Sequence, residues 1–507
     1  LLHKNRLFSP IKLYFVTLFE SARKSLLFEL GLVRPLGAAG CFAMLPLLLR
    51  SRDKLCRLVS AALEGVGAQP AVLPLLAPEE SWRRSGRLED AGEELMKVGD
   101  RQGRRYILSP THEELMTELI AELSPISPKQ LPLLLYQIGP KFRDEMRPRH
   151  GIIRSREFLM KDLYTFHEDE ECARRTYHLI GEVYQRIFQE IGVEYIKVEA
   201  DTGVMGGSLS HEYHYTAAIG EDRLRQCTSC AHQTSALLHD EGTRCSRCGG
   251  DHVKEIMGIE VGHTFLLGTR YSQPLGAHLV SKKPLHMGCY GLGLSRILAA
   301  SLEALSSPTQ LRWPPALAPY ALCIIGPKEG SKEFEVASPL VERVYSLLQD
   351  SCPRLKEDIL VDDRTHMTIG KRVMEAKRFD LYWIAIDRSI AAVRPVDRAH
   401  GSGQGLEPNR TRTRTRTRTR SRTRNRTRAA LQEKLVAWRI HGRTKFLEER
   451  GDDYQQLRDL DWQSDSAFLA DFIGKLSTLN LELKGKNKTL TEMILLQHSK
   501  VKQRSRH

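Results

Sequence analysis

What this 507-residue chain has little of narrows its class first. It holds ten cysteines, far below the density of secreted scaffolds stapled by disulfides. Four of them stand in paired C-x-x-C spacing, which points to a reducing compartment and a metal. Long apolar runs are also missing. The longest uncharged stretch near the start, Pro35–Leu49, carries two prolines and two glycines and is too short to cross a bilayer. No membrane partner is expected. Acidic residues are absent from the first nineteen positions, where Lys4, Arg6 and Lys12 stand; that pattern resembles the tail of an organellar presequence and predicts the mitochondrial matrix. Acidic and apolar residues are both absent between Arg410 and Arg428, where ten arginines alternate mostly with threonine. Such a segment has nothing to bury and is expected to be disordered. It also supplies most of the net charge: 14 − 10 leaves +4 for the rest, so overall basicity says little about a polyanionic partner.

What is present reads as two to four domains. Residues 47–66 predict an amphipathic helix, with Leu55, Leu58, Val59, Ala62, Leu63 and Val66 at i, i+3, i+4 spacing. "AVLPLL" at 71–76 predicts a short strand, placed at a sheet edge because Pro74 cannot donate a hydrogen bond. From about 104 to 300, strand-like runs alternate with helical ones such as 170–191. Residues 318–386 predict a βαβ module: strand "YALCIIG", helix 332–349, strand "DILVDD", helix 368–378, strand "LYWIAI". Residues 431–507 return to helical periodicity, with Leu469, Phe472, Ile473, Leu476, Leu479 and Leu483 on one face.

The stretch "KFRDEMRPRHGIIRSREF", 141–158, carries five arginines, a lysine and a histidine beside three acids. It leaves no apolar stripe, so a surface helix does not explain it. Read as a hairpin with a strand over 153–162, it places Arg154, Arg156, Phe158, Met160 and Asp162 on one face, and Arg143 and Glu145 on a face of the preceding strand. Such a face offers guanidinium forks for phosphates, a ring for a base and a carboxylate for an exocyclic amine. A salt-bridged hairpin on a solvated surface uses the same residues.

"GCYGLGLSR", 288–296, sets Gly291-x-Gly293 before Arg296. A helix beginning near Gly291 would aim its N-terminus and an arginine at an anion; a glycine-rich turn with a structural arginine is the alternative. "SPTHEEL", 109–115, places Thr111 and Glu113 either in a pocket for a small ligand's ammonium group or simply at a helix N-terminus. Cys227-x-x-Cys230 and Cys245-x-x-Cys248, fourteen residues apart, have the spacing of a zinc ribbon.

Taken together, these elements resemble the class II aminoacyl-tRNA synthetases. Arg143-x-Glu145…Arg154-x-x-x-Phe158 is similar to that class's motif 2, Gly291–Arg296 to motif 3, and the 47–76 helix and strand to the dimer-forming motif 1. Within the class, "PTHEE", "KFRDE", "REFLMKDLYTF", "GGSLSHEY", "GIEVGHTF" and "MGCYGLGLSR" resemble the prolyl subfamily, in its order, over roughly 5–386. The resemblance implies an α+β fold, a central antiparallel sheet flanked by helices, with a zinc-ribbon insertion at about 222–252 and a smaller α/β anticodon-binding domain. It implies an enzyme that activates L-proline with ATP and Mg²⁺ and charges tRNA(Pro), working as a homodimer through the motif 1 region. Arg143 would hold the α-phosphate and the prolyl carboxylate, with Arg143 and Arg296 the catalytic pair. Glu145 would hold the adenine side, Phe158 would stack on adenine, and Arg154 and Arg296 would bind the γ-phosphate. Glu260 would contact the nucleotide or a metal near it. Thr111 and Glu113 would bind proline, with His263 and the Gly206–Glu212 segment as pocket wall. The four cysteines would hold a structural Zn²⁺, with no open position for chemistry.

The expected boundaries are an N-terminal segment at 1–46, a catalytic domain at 47–312, an anticodon-binding domain at 313–390 that lacks the family's last elements, the repeat at 391–430 and a helical tail at 431–507. Asp362, Asp363, Arg364 and Lys371 face either tRNA or plain solvent. About 120 residues separate His167 from Gly288, too few for an inserted editing domain, so no hydrolysis of misactivated alanine in cis is expected. The tail resembles hAT transposase-derived proteins. The competing class of function is a non-catalytic relative that binds nucleic acid as an accessory subunit; loss of the motif arginines would mark it, and Arg143, Arg154 and Arg296 are all present.

Overall fold

A computed structural model describes residues 27–385, apart from 29, 231, 237–243, 246, 251–252, 308–310 and 352–354. The presequence-like start, the Thr-Arg repeat and the helical tail lie outside these residues. By compactness the described residues divide into two units, one within 27–323, 349–361 and 370–383, the other within 324–348, 362–369 and 384–385.

A small hairpin, β1 (Val33–Pro35) and β2 (Phe42–Met44), leads into helix α1 (Pro46–Glu64). Pro46 starts that helix where its missing N–H costs nothing. Leu48, Leu55, Val59 and Leu63 form its buried stripe; Leu58, Ala62 and Val66 lie at its margin, half-buried. The strand expected at 71–76 is displaced. β3 is Gln69–Pro70, and β4 is Leu76–Pro78. Pro74 lacks the N–H that would continue a ladder, so after Ala71 N–H donates to Tyr136 O the edge passes to a side chain, Leu73 N–H to Gln137 Oε1 at 3.2 Å.

Helix α2 (Glu79–Arg84), strands β5 (Met96–Gly99) and β6 (Arg105–Leu108) and helix α3 (Glu113–Glu122) follow, with β4, β6 and β5 forming a three-stranded sheet in that order. The main sheet has nine strands. In the order β12-β11-β13-β14-β8-β7-β3 these are Gln233–Ser235, Asp222–Cys227, Val253–Gly268, His286–Gly293, Glu157–His167, Leu133–Phe142 and Gln69–Pro70; β10 (Leu209–Thr216) pairs with β13 and with β9 (Tyr195–Glu199). Every pairing is antiparallel except β3 with β7. This is the α+β fold expected from sequence.

Helices α4 (Glu170–Ile191) and α5 (Leu294–Leu305) cover the sheet. Asp169 caps α4, accepting from Cys172 N–H, and Gly192 at φ 77° ends it. Its buried stripe of Ile180, Val183, Tyr184, Ile187, Phe188 and Ile191 packs its rings against Tyr213 and Tyr215 of β10. A second apolar cluster, including Met116, Ile120, Tyr164, Phe166, Tyr271 and Met287, lies against α3.

The predicted βαβ module has its elements where expected: β15 (Leu322–Ile325), α6 (Phe334–Ser351), β16 (Ile359–Asp362), α7 (Ile369–Arg378) and β17 (Tyr382–Ala385), with sheet order β16-β15-β17.

One glycine fixes the segment that passes over the sheet before β10. Gly207 sits at φ +104°, and a Cβ there would stand 2.2 Å from Leu266 O. Gly207→Ala is therefore expected to cost at least about 1–3 kcal/mol of stability, read as a lower Tm in thermal unfolding.

Candidate active site

The sheet's register gathers the site. Gln137 lies opposite Asp162, Asp162 opposite Gly291, Gly291 opposite His263 and His263 opposite Glu212. These form one row across β7, β8, β14, β13 and β10. Strand alternation alone would place Glu260 and His263, three residues apart, on opposite faces. The register between β10 and β13 shifts at Tyr213/His214, and this bulge re-aims the side chains. His263 Nδ1 and Glu260 Oε1 are then 3.1 Å apart.

The arginines converge on the same end of the sheet. β7 stops at Phe142, so Arg143 stands just beyond the strand, its N–H donating to Arg156 O at 2.9 Å. Its Cζ lies 5.3 Å from the centre of the Phe158 ring. Arg296, in the first turn of α5, donates through Nε to Ile153 O and through Nη1 to Glu260 O, both at 3.0 Å, with Glu260 Oε2 at 3.5 Å. Among the described residues, the Arg143 guanidinium makes no hydrogen bond or ion pair. Burial and the nearby charge of Arg296 lower its pKa, outweighing Glu260 and Glu94. Burial opposes ionisation of Glu260, but His263, Arg296 and His214 outweigh it and hold this carboxyl well below the usual range.

Arg154 does not lie on the strand face that the hairpin reading gave it. β8 begins at Glu157, and Arg154 follows a short 3-10 turn, Gly151–Ile153. From that loop its Nε donates to Glu145 Oε2 at 2.7 Å and its Nη1 to Glu221. Likewise the helix expected near Gly291 starts at Leu294; Gly291 and Gly293 belong to β14. The glycines serve the sheet, and Arg296 reaches the site from the helix's first turn.

Thr111 and Glu113 do stand at a helix N-terminus, that of α3. They also belong to a buried ionic cluster. Arg87 Nη1 donates to Glu113 Oε2 at 3.0 Å and to Glu114 at 3.2 Å, while Nη2 donates to Thr111 Oγ1 at 3.2 Å. Cys289 Sγ donates to the other Glu113 oxygen at 3.0 Å. Arg87 lies over the Trp82 ring, and Met205 Sδ sits 3.2 Å from its Nη2. Burial resists charge on Glu113, yet Arg87, Cys289 and Thr111 keep its pKa lowered; burial and Glu113 raise that of Glu114. Glu113 is fully buried with both oxygens occupied, and the half-buried Thr111 shares its Arg87 partner. The buried Lys141 joins Asp162 Oδ2 at 3.0 Å to His112 Nδ1 at 2.6 Å, and Gln137 and Tyr164 donate to that same Asp162 oxygen.

The four cysteines come together. Cys227 Sγ is 3.6 Å from Cys248 Sγ, Cys230 Sγ is 3.6 Å from Cys245 Sγ, and all four lie within 4.8 Å of one another. These separations exclude disulfides. They match the roughly 3.8 Å between thiolates placed tetrahedrally at about 2.3 Å from zinc. Backbone N–H groups aimed at the sulfurs lower two of the thiols, that of Cys230 bringing Cys227 to about 6 and that of Cys248 lowering Cys245. Glu212, Glu260 and His263 form a second group of donor atoms within 4.8 Å of one another.

Residues 96–305 match the tRNA synthetase class II core domain (G, H, P, S and T). The probable mitochondrial proline–tRNA ligase of Rattus norvegicus is 44% identical over 375 residues, covering 73% of this chain and 78% of that one. Its Homo sapiens counterpart is 44% identical over 366 residues, covering 71% and 76%. The chain belongs to the proline–tRNA ligase family. Two solved relatives share the fold of this synthetase with TM-scores of 0.59: the Giardia lamblia prolyl-tRNA synthetase in complex with prolyl-adenylate, and the Cryptosporidium parvum enzyme complexed with halofuginone and AMPPNP. They are 18% and 16% identical to it, covering 72% and 73% of this chain and 69% of each of those. Residues 433–501 match the FAM200/GTF2IRD2 helical domain, which is no part of a synthetase and accords with the tail's likeness to transposase-derived sequence.

Three participants in the synthetase site escaped sequence reasoning: Arg87, Lys141 and Glu221. Each is one charge among many in a charged stretch, and only burial or a distant partner distinguishes it. Conversely, Asp362 and Arg364 of the C-terminal module pair with each other at 2.7 Å, Asp362 being buried, whereas Asp363 and Lys371 are exposed. Removing Arg87 strands two buried carboxylates. Arg87→Met is expected to destabilise the fold by about 3–5 kcal/mol, measured by denaturant unfolding, whereas Glu114→Gln, which keeps one acid for one base, should cost far less.

Proposed function

We infer that the chain is a proline–tRNA ligase that activates L-proline with ATP and transfers it to tRNA(Pro). The observation that carries this reading is the half-buried, unpaired Arg143 guanidinium, set against the Phe158 ring and near the charge of Arg296. Proline's carboxylate is already a nucleophile, so the first step needs no general base. It attacks the α-phosphorus of ATP, the bond to the bridging oxygen breaks, and prolyl-adenylate and pyrophosphate form. A ribose hydroxyl of the tRNA's 3′ end then attacks the prolyl carbonyl and AMP leaves.

The protein's part is alignment and charge neutralisation. Arg143 holds the proline carboxylate and α-phosphate, Arg296 and Arg154 the γ-phosphate, Phe158 and Glu145 the adenine. Thr111 meets the proline nitrogen, and Glu113, which Arg87 keeps ionised, supplies the negative charge behind it. His263, stacked on Phe265 at 3.9 Å, forms the wall. Glu260 and Glu212 are the carboxylates that would hold Mg²⁺, which neutralises phosphate charge. The four cysteines hold a structural Zn²⁺. The names of the mitochondrial relatives support action in the mitochondrial matrix, and α1 with the following edge strand supports a homodimer of the class II type. The 318–386 module is the tRNA anticodon contact, with Asp363 and Lys371 as its exposed charges.

Proline-dependent ATP–pyrophosphate exchange tests the reading directly. Exchange is expected with proline, with alanine and threonine far weaker, and Arg143→Ala should lower kcat/KM by about 10²–10³. No exchange from folded protein would favour an accessory nucleic-acid-binding role. For the metal, elemental analysis should find one zinc per chain, and Cys245→Ser should abolish it and open residues 222–252 to limited proteolysis while the core stays resistant.

A further inference from the structure

Glu221 bridges two arginines of the loop between β7 and β8, Arg149 and Arg154. Arg154 Nη1 donates to one of its oxygens, and Arg149 Nε forms an ion pair with the other at 2.5 Å. The two arginines are neighbours because the loop closes on itself: Arg149 N–H donates to Arg154 O at 3.2 Å around a turn in which His150 and Gly151 have φ of 58° and 61°. Two guanidinium groups held so close need an anion between them. One carboxylate, with one oxygen for each fork, does there what a phosphate would do.

The carboxylate is delivered from elsewhere in the chain, and rigidly. Glu221 immediately precedes β11, the strand that runs into the four-cysteine ribbon. Its N–H donates to Gly258 O at 3.1 Å. Gly220 lies so close to β13 that a Cβ would stand 2.4–2.7 Å from the Gly258 backbone. The next residue, Asp222, faces the buried His214 at 3.5 Å. The anion therefore stands on the sheet at the ribbon's root, with about a third of its side chain still exposed.

We propose that Glu221 is a built-in competitor of the nucleotide's terminal phosphates, holding Arg149 and Arg154 until ATP displaces it and so setting ATP affinity from the base of the ribbon. This rests on the reading of Arg154 as a phosphate ligand. A phosphate that takes Arg154 Nη1 displaces the Glu221 oxygen held there, so binding opens the Glu221 pairs and returns that side chain to water, while Nε stays with Glu145. Glu145, on the other side of Arg154, keeps its pair throughout.

The test is equilibrium ATP binding by calorimetry, without proline, on the full chain and on Glu221→Gln, Glu221→Asp and Arg154→Ala. Zinc content and Tm serve as folding controls. Glu221→Gln is expected to bind ATP about three- to tenfold tighter, the range of one or two exposed ion pairs, and the gain should shrink as salt rises. Glu221→Asp should track the unaltered protein. If Glu221→Gln binds ATP equally or more weakly while Arg154→Ala loses affinity, Glu221 is a stabilising surface pair or part of the nucleotide site, and the proposal is overturned. If Arg154→Ala binds ATP as well as the unaltered protein, the phosphate role of Arg154 is what falls, and the proposal falls with it.

Discussion

Four guanidinium groups held at one end of a sheet repel one another, and most of the site's geometry answers that constraint. Each is tethered by a different device. Arg296 is fixed by two backbone carbonyls and Glu260, Arg154 by Glu145 and Glu221, and Arg149 by Glu221. Arg143 alone has only the Phe158 ring. A rigid frame that satisfies three cations and leaves the fourth short of an anion is arranged in advance for a ligand whose charge appears there. Electrostatic stabilisation of a transition state needs that kind of preorganisation.

The frame itself is a matter of register. Side chains on five antiparallel strands reach one row only because each pairing is held to the residue, and the bulge in β13 turns Glu260 and His263 toward each other where alternation would part them. Beneath the row, two buried bases answer three buried acids. Arg87 answers Glu113 and Glu114, and Lys141 answers Asp162. Buried charges of this kind do little for net stability. They hold the turn carrying Thr111 in one place, Arg87 donating to its hydroxyl.

Sequence by itself determined a good deal. The order of motifs, the α+β class, helix 170–191, the βαβ elements after 318 and the pairing of four cysteines all follow from local patterns: periodicity, caps, glycines and ligand spacing. The candidate site residues were legible as residue types. Their placement was not. Arg154 and Glu145 left the strand faces assigned to them because the hairpin ends at Phe142 and Glu157. The edge strand near 71–76 moved because Pro74 interrupts the ladder. Only the tertiary structure decided that Glu113 is fully buried, that Arg87 is its counter-charge, and that Glu221 reaches Arg149 and Arg154 from 67 residues away in the case of Arg154. The physical reason is common to all three: a charge in a sequence carries no sign of whether it will meet water or another charge, and that is settled by which strands lie side by side.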